Sequence, residues 1–177
     1  SKDSIISSWE TAEPEAYNTY NFTDFTVIDS YDDSVEPSER VGFFGKVSAD
    51  SGYNVYIKNV TFTNFSFQIN AESTKERFIG IIGSTESTSG NEDILLENIN
   101  VFLQSPSLIT IKNTTKIYIN IGILVGYAQN TQFLDCNVIL SNRYDVLIES
   151  SDVKGIAMGI LIGHARHSSI MACSVNL

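Results

Sequence analysis

Residues 122–140 read GILVGYAQNTQFLDCNVIL, and residues 159–177 read GILIGHARHSSIMACSVNL. Both stretches open on a glycine-bracketed apolar triplet, cross the same polar gap and reach a lone cysteine in step. Self-similarity at a fixed period is sought first because it decides the architecture. Aligned on the second glycine of the bracket, the pattern extends upstream. VGFFG ends at Gly45, IGIIG at Gly83, GILVG at Gly126 and GILIG at Gly163. Each bracket is followed by a polar stretch and then an alternating segment: YIKNVTF, LLENINV, FLDCNVI and IMACSVN. Aligned segment on segment, they share a column of Asn59, Asn98, Cys136 and Cys173, and the earlier TYNFTDF places Asn21 in it.

A third apolar segment closes each unit, as FSFQI, SLITI and DVLIE. β-branched and aromatic enrichment with period-2 alternation marks these segments as strands, and helical periodicity is absent from residue 17 onward. Three short strands per unit predict one coil of a β-solenoid. The expected fold is all-β: a right-handed parallel β-helix of four to five coils, 37–39 residues each, over residues 17–177. The handedness comes from the crossover rule. Coils stack at about 4.8 Å, so like residues lie over like residues. The bracket glycines, Gly45, Gly83, Gly126 and Gly163, are expected at corners where φ is positive. The apolar pair before each should place one residue inward and one outward. The Asn/Cys column is expected to be an internal ladder, with the two thiols as small apolar fillers.

Residues 1–16 fall outside the repeat and read as a cap or linker; Ser7 and Glu10 form a capping-box pattern beside Trp9. The sequence stops at Leu177 inside a strand segment. The expectation is a terminal coil covered either by more chain or by another molecule, through head-to-tail self-association.

The chain has 177 residues and a net charge of -10, which argues against nucleic acid or an anionic membrane as partner. No apolar run approaches the roughly 18 residues of a spanning helix, so membrane insertion is not expected. Two cysteines do not make a disulfide scaffold. Asn-x-Ser/Thr occurs at Asn21, Asn59, Asn64 and Asn113, close to the number chance gives. Asn59, in the inward column, should carry no glycan. Asn113 is the first choice for modification and Asn64 the second, with Asn21 a further candidate.

At the third and fourth units the chain resembles the GLUG-type repeat, a Gly-Gly-Leu-Val-Gly bracket, a spacer and a strand ending in Asn-Cys. Gly-Gly is nowhere complete here, Asn59 and Asn98 stand at the cysteine position, and the units are longer. The resemblance implies pectate-lyase-like right-handed β-helix coils in a bacterial or microbial-eukaryotic surface or secreted protein. It also implies a spacer, adhesive or structural role.

Candidate chemistry is sparse. His164 and His167 are the only histidines, and Asp152 and Asp135 are only loosely placed as further ligands, so a solvated turn is the expectation. No Gly-x-Ser-x-Gly elbow is present. Asp32-Asp33 is the only adjacent aspartate pair and lies beside a turn signal at Pro37. Lys75, Arg77, Lys112 and Lys116 could line a groove for an acidic glycan, or guard strand ends as solvated charges. Cys136 and Cys173 lie one coil apart, within disulfide range, but stacked in-register side chains rarely reach the required dihedral, so two buried thiols are expected. No metal, cofactor or enzymatic activity is expected. The favoured function is a structural extracellular or cell-surface module, a stalk or filament subunit with loops at 48–54, 70–77 and 84–93. The alternatives are a glycan- or receptor-binding adhesin, with Tyr53, Tyr56, Tyr118, Tyr127 and Tyr144 as candidate exposed aromatics, and a glycan-active enzyme.

Overall fold

The computed structural model describes residues 20–29, 39–50, 53–69, 75–88, 91, 93–113, 117–150 and 153–177. The proposed cap over 1–16, Asp32-Asp33, Lys116 and Asp152 lie outside the described residues, as do the side chains of Lys112 and Asn113. Among the described residues every regular element is a strand. They are β1 (Tyr20–Asp29), β2 (Arg40–Val41), β3 (Phe44–Ala49), β4 (Val55–Ile69), β5 (Arg77–Ile79), β6 (Ile82–Ser87), β7 (Ile94–Leu103), β8 (Ser107–Asn113) and β9 (Ile117–Gly122). They continue as β10 (Val125–Gln129), β11 (Thr131–Leu134), β12 (Asn137–Leu140), β13 (Tyr144–Ser150), β14 (Val153–Gly159), β15 (Ile162–Arg166), β16 (Ser169–Met171) and β17 (Ser174–Asn176).

All pairings are parallel and join each strand to its counterpart about one turn away. The chain is a parallel β-solenoid. Each turn has five faces rather than three. The first stacks the start of β4, then β7, β11 and β16. The second stacks β1, mid-β4, the end of β7, β12 and β17. The third stacks the end of β1, the end of β4, β8 and β13. The fourth is β2, β5, β9 and β14, and the fifth β3, β6, β10 and β15. Four faces hold four strands and the second holds five, so the first and last strands of most faces are three windings apart; the solenoid has about three turns against the four to five coils expected. The vertical offset also varies more than expected, from 36 residues between Ile117 and Val153 to 43 between Ile82 and Val125. Extra residues sit at corners: Gln104 to Pro106 before the third face, and a third bracket residue at 122–124 where 80–81 suffices.

Alternation along each strand buries one row. Ile94, Leu96, Ile99, Val101 and Leu103 of β7 point into the core, over Val60 and Phe62 and under Phe133, Cys136 and Val138. At the bracket the alternation breaks: Ile81 with Ile82, and Leu124 with Val125, are buried together, correcting the expected one-in, one-out arrangement. A corner turns successive side chains the same way, which the pleat of a strand cannot do.

Gly45, Gly83, Gly126 and Gly163 do stack in one column. None of them has positive φ, however. They are needed for closeness: a Cβ on Gly163 would meet the carbonyl oxygens of Gly126 and Ile121 at 2.7 Å. The left-handed corners are taken by other residues, Asn59, Asn98, Asp135 and Ala172 in one column, with Asn64 and Asp24 in a second and Asn130 and His167 in a third. Asn and Asp tolerate this region better than other non-glycine residues.

Candidate functional site

The column of Asn21, Asn59, Asn98, Cys136 and Cys173 is not one column. Glu97 pairs with Leu134 and Asn100 with Asn137, which sets Asn98 opposite Asp135 and Ile99 opposite Cys136. The one-residue slip exchanges inside for outside. Inward stand Val60, Ile99, Cys136 and Cys173; at the corner stand Asn59, Asn98, Asp135 and Ala172. Asn21 pairs with Thr61, in the outward column that continues through Asn100, Asn137 and Ser174.

The asparagines still form a ladder, but on the outer surface. Asn98 Nδ2 donates to Asn59 Oδ1 at 2.8 Å, and Asn100 Nδ2 to Asn98 Oδ1 at 3.0 Å. Asn137 Nδ2 donates to Asn100 Oδ1 at 3.0 Å, and the Ser174 hydroxyl to Asn137 Oδ1 at 2.6 Å. Asn59 is half-buried rather than buried, because its left-handed backbone turns the side chain outward. Asn64 is also engaged: its Oδ1 accepts from the backbone N–H groups of Gln104 and Ser105, and its Nδ2 donates to Asp24. That occupies the second-choice glycosylation site, whereas Asn21 is exposed.

Both thiols are free, Cys136 buried and Cys173 half-buried. Cys136 Sγ donates to the Leu96 carbonyl at 3.4 Å. Burial, reinforced by the neighbouring Cys173, pushes the Cys136 thiol up to about 12.

A cluster of charged residues lies on the fifth face and its border with the fourth. Glu86 accepts from Arg40 at 2.8 Å and pairs with Lys46 at 2.9 Å; Glu39 pairs with Arg40 at 3.0 Å and Lys75 at 3.3 Å. Burial raises the Glu86 carboxyl, but hydrogen bonds from Arg40, Lys46 and Ser84 outweigh it and hold the group below its ordinary value. It is thus kept as an anion and is unsuited to act as a general acid. Arg77 does not join a surface groove: it is fully buried, in register with the core residue Ile119. The segments 48–54, 70–77 and 84–93 are not wholly loops, since β3, β5 and β6 take part of each.

The aromatics do not form one stripe. Tyr53, Tyr56 and Tyr118 are exposed, but Tyr56 lies on the first face and Tyr118 on the fourth. Tyr127 is half-buried between Phe78 and His164, with centroids at 5.0 and 5.4 Å. Tyr144 faces Phe65 in the core, its hydroxyl buried without a hydrogen-bond partner, and burial pushes its pKa up. His164 packs on Tyr127, while His167 takes the left-handed corner and borders a groove on the fifth face. Among the described residues no three His, Cys, Asp or Glu side chains gather as a metal site.

The last rung leaves core positions uncovered. Ile156, Met158, Ile170 and Val175 lie over Ile119, Ile121, Phe133 and Val138. The upper four are 44–57% exposed, the lower four at most 1%. A cavity of about 530 Å³ opens there, lined by Ile121, Ile123, Leu140, Tyr144, Met158 and Leu177 among others. Compared with known protein families, with curated proteins and with solved structures, the chain matches none.

Proposed function

We propose that this chain is a structural module of an extracellular or cell-surface protein, a stiff solenoid that extends end to end. The observation that carries the reading is the open rung of Ile156, Met158, Ile170 and Val175, apolar where the interior continues. Isolated exposed apolar residues need no explanation, but a contiguous apolar end calls for a cover, which either a second copy or further chain can supply.

The opposite end is complementary in layout. There β1 carries the second and third faces, β2 the fourth and β3 the fifth, each paired on one side only among the described residues. The open rung finishes the same faces with β17, β13, β14 and β15. A second copy set head to tail would continue the third, fourth and fifth ladders in parallel, with β17 yielding its place on the second face to the incoming β1. Such a contact is heterologous and does not close, so it builds a fibre. The outward amide ladder supports stiffness by tying successive rungs together. The exposed Asn21 sequon and the GLUG-like bracket support the surface location.

Electron microscopy of the full chain over a dilution series tests this reading. Filaments with an axial repeat of about 20 Å, four rungs at about 4.8 Å, are expected. Met158→Asp and Ile170→Asp should abolish them while leaving the parallel-sheet circular dichroism intact. Isolated short rods at every concentration would overturn the end-to-end reading.

A further inference from the structure

Asn130 holds an unfilled hydrogen-bonding position. Its side chain is 3% exposed, at a left-handed corner with φ of 52°. Its Nδ2 donates to the Ser87 carbonyl at 3.1 Å, and its Oδ1 has no partner. The assignment of the two amide atoms is fixed chemically: a carbonyl only accepts, so the nitrogen must face Ser87. A buried acceptor without a donor costs free energy unless something supplies one.

Asn130 lines a groove of about 450 Å³ on the fifth face. Lys46, Asp50, Glu86, Gln129 and His167 share it. Its volume falls in the range of small-ligand pockets, roughly 300–1,000 Å³. Lys46 pairs with Glu86 at 2.9 Å, so neither stands as a bare charge in the groove. It offers separated acceptors and donors instead. Asn130 Oδ1 and the Asp50 carboxylate accept. Gln129 gives its Oε1 to the Tyr127 hydroxyl at 3.0 Å, which leaves its amide nitrogen as a donor. Hydroxyl groups, which both donate and accept, match that mixture.

We propose that this groove binds a neutral polyhydroxyl ligand, a saccharide unit whose hydroxyl donates to Asn130 Oδ1. Asp50 takes a second hydroxyl and Gln129 donates to an oxygen of the ligand. The proposal rests on the groove alone and is independent of end-to-end assembly, so either may fail without the other.

The test is a nuclear magnetic resonance titration of the full chain with maltose, cellobiose and lactose, with calcium and inorganic phosphate as charged probes. At least one disaccharide should shift the Asn130 side-chain amide and the Gln129 and Asp50 backbone signals at millimolar concentration. Asn130→Gly, which accepts the positive φ, should weaken that binding about tenfold, as expected for loss of one hydrogen bond. Asp50→Ala, at an exposed position, should also weaken it and guards against misfolding of the first variant. The proposal is overturned if none of the disaccharides shifts these signals, if only calcium or phosphate does, or if both variants bind as tightly as the parent.

Discussion

The backbone N–H of Cys136 donates to the sulfur of Cys173 at 3.4 Å, across 37 residues and one turn. The contact puts two thiols in adjacent rungs in different surroundings, one inside the stack and one at its open end. Cys173 should therefore react with iodoacetamide in the native protein, and Cys136 only after unfolding. Mass mapping of the alkylated peptides checks it; equal labelling of both would show that the inward assignment of Cys136 is wrong.

The same burial predicts a pH dependence. The Cys136 thiol ionises near 9.0 when unfolded and near 12 when folded. Its contribution is fully present below pH 9. Above that the unfolded state loses its proton first, so stability falls between about pH 9 and 12. Cys136→Ala should flatten this part of a urea-midpoint profile.

Glu86 acts in the opposite direction. Its carboxyl is depressed by Arg40, Lys46 and Ser84 against the effect of burial, so it stabilises above its unfolded value of 4.5 and ceases to do so as pH falls through its lower folded value. Glu86→Gln should reduce stability at neutral pH and flatten the acid limb. The effect is small, because the group is part-exposed and screened.

Ala172 sits at φ of 53° in the column that holds Asn59, Asn98 and Asp135. Left-handed backbone costs a side chain with no local hydrogen bond about 1–2 kcal/mol. Ala172→Asn should recover about 1 kcal/mol and raise Tm by a few degrees. Asn98→Ala should lose about 1–2 kcal/mol, from strain plus the broken amide bonds. Calorimetry of the pair decides it; Asn98→Ala as stable as the parent would remove the ladder's role.

Two glycines should respond differently to one methyl group. On Gly83 it meets fixed backbone, the nitrogen of Val41 at 2.9 Å among others. On Gly155 it meets only the Tyr118 ring at 2.9 Å, an exposed side chain able to swing aside. Gly83→Ala should destabilise by several kcal/mol or prevent folding, and Gly155→Ala should change little.

The solenoid was legible because its period is written in residues with no substitute. The bracket glycines recur wherever two rungs approach too closely for a Cβ, and they stack as the alignment requires. The register of the next segment was not legible, because Asn98 and Cys136 were matched by place in the segment rather than by the apolar row. Leu96 under Phe133 and Val101 under Val138 mark the true register. The corners hid for a related reason. Asn, Asp, His and Ala all occupy left-handed positions here, so no single letter marks them. Arg77, expected in a groove or as a solvated charge, carries no local signal of its burial, because nothing nearby in sequence distinguishes a buried arginine from a solvated one. The polar groove at Asn130 left no sequence signal, since its residues come from separate turns.

The corner formed by Asn130 and His167 has a consequence for how such a chain changes length. Both residues take the same left-handed bend, one winding apart, and Thr131 bonds to Ser168 across that interval of 37 residues. Excising 131–167 would join Asn130 to Ser168 with the bend already in place. The shortened chain would meet the preceding rung in the pairing it had before, one storey lower. The fold is divisible at this joint, and a gene encoding it could gain or shed whole windings while the strand pairings among the rungs below the cut stay as they are.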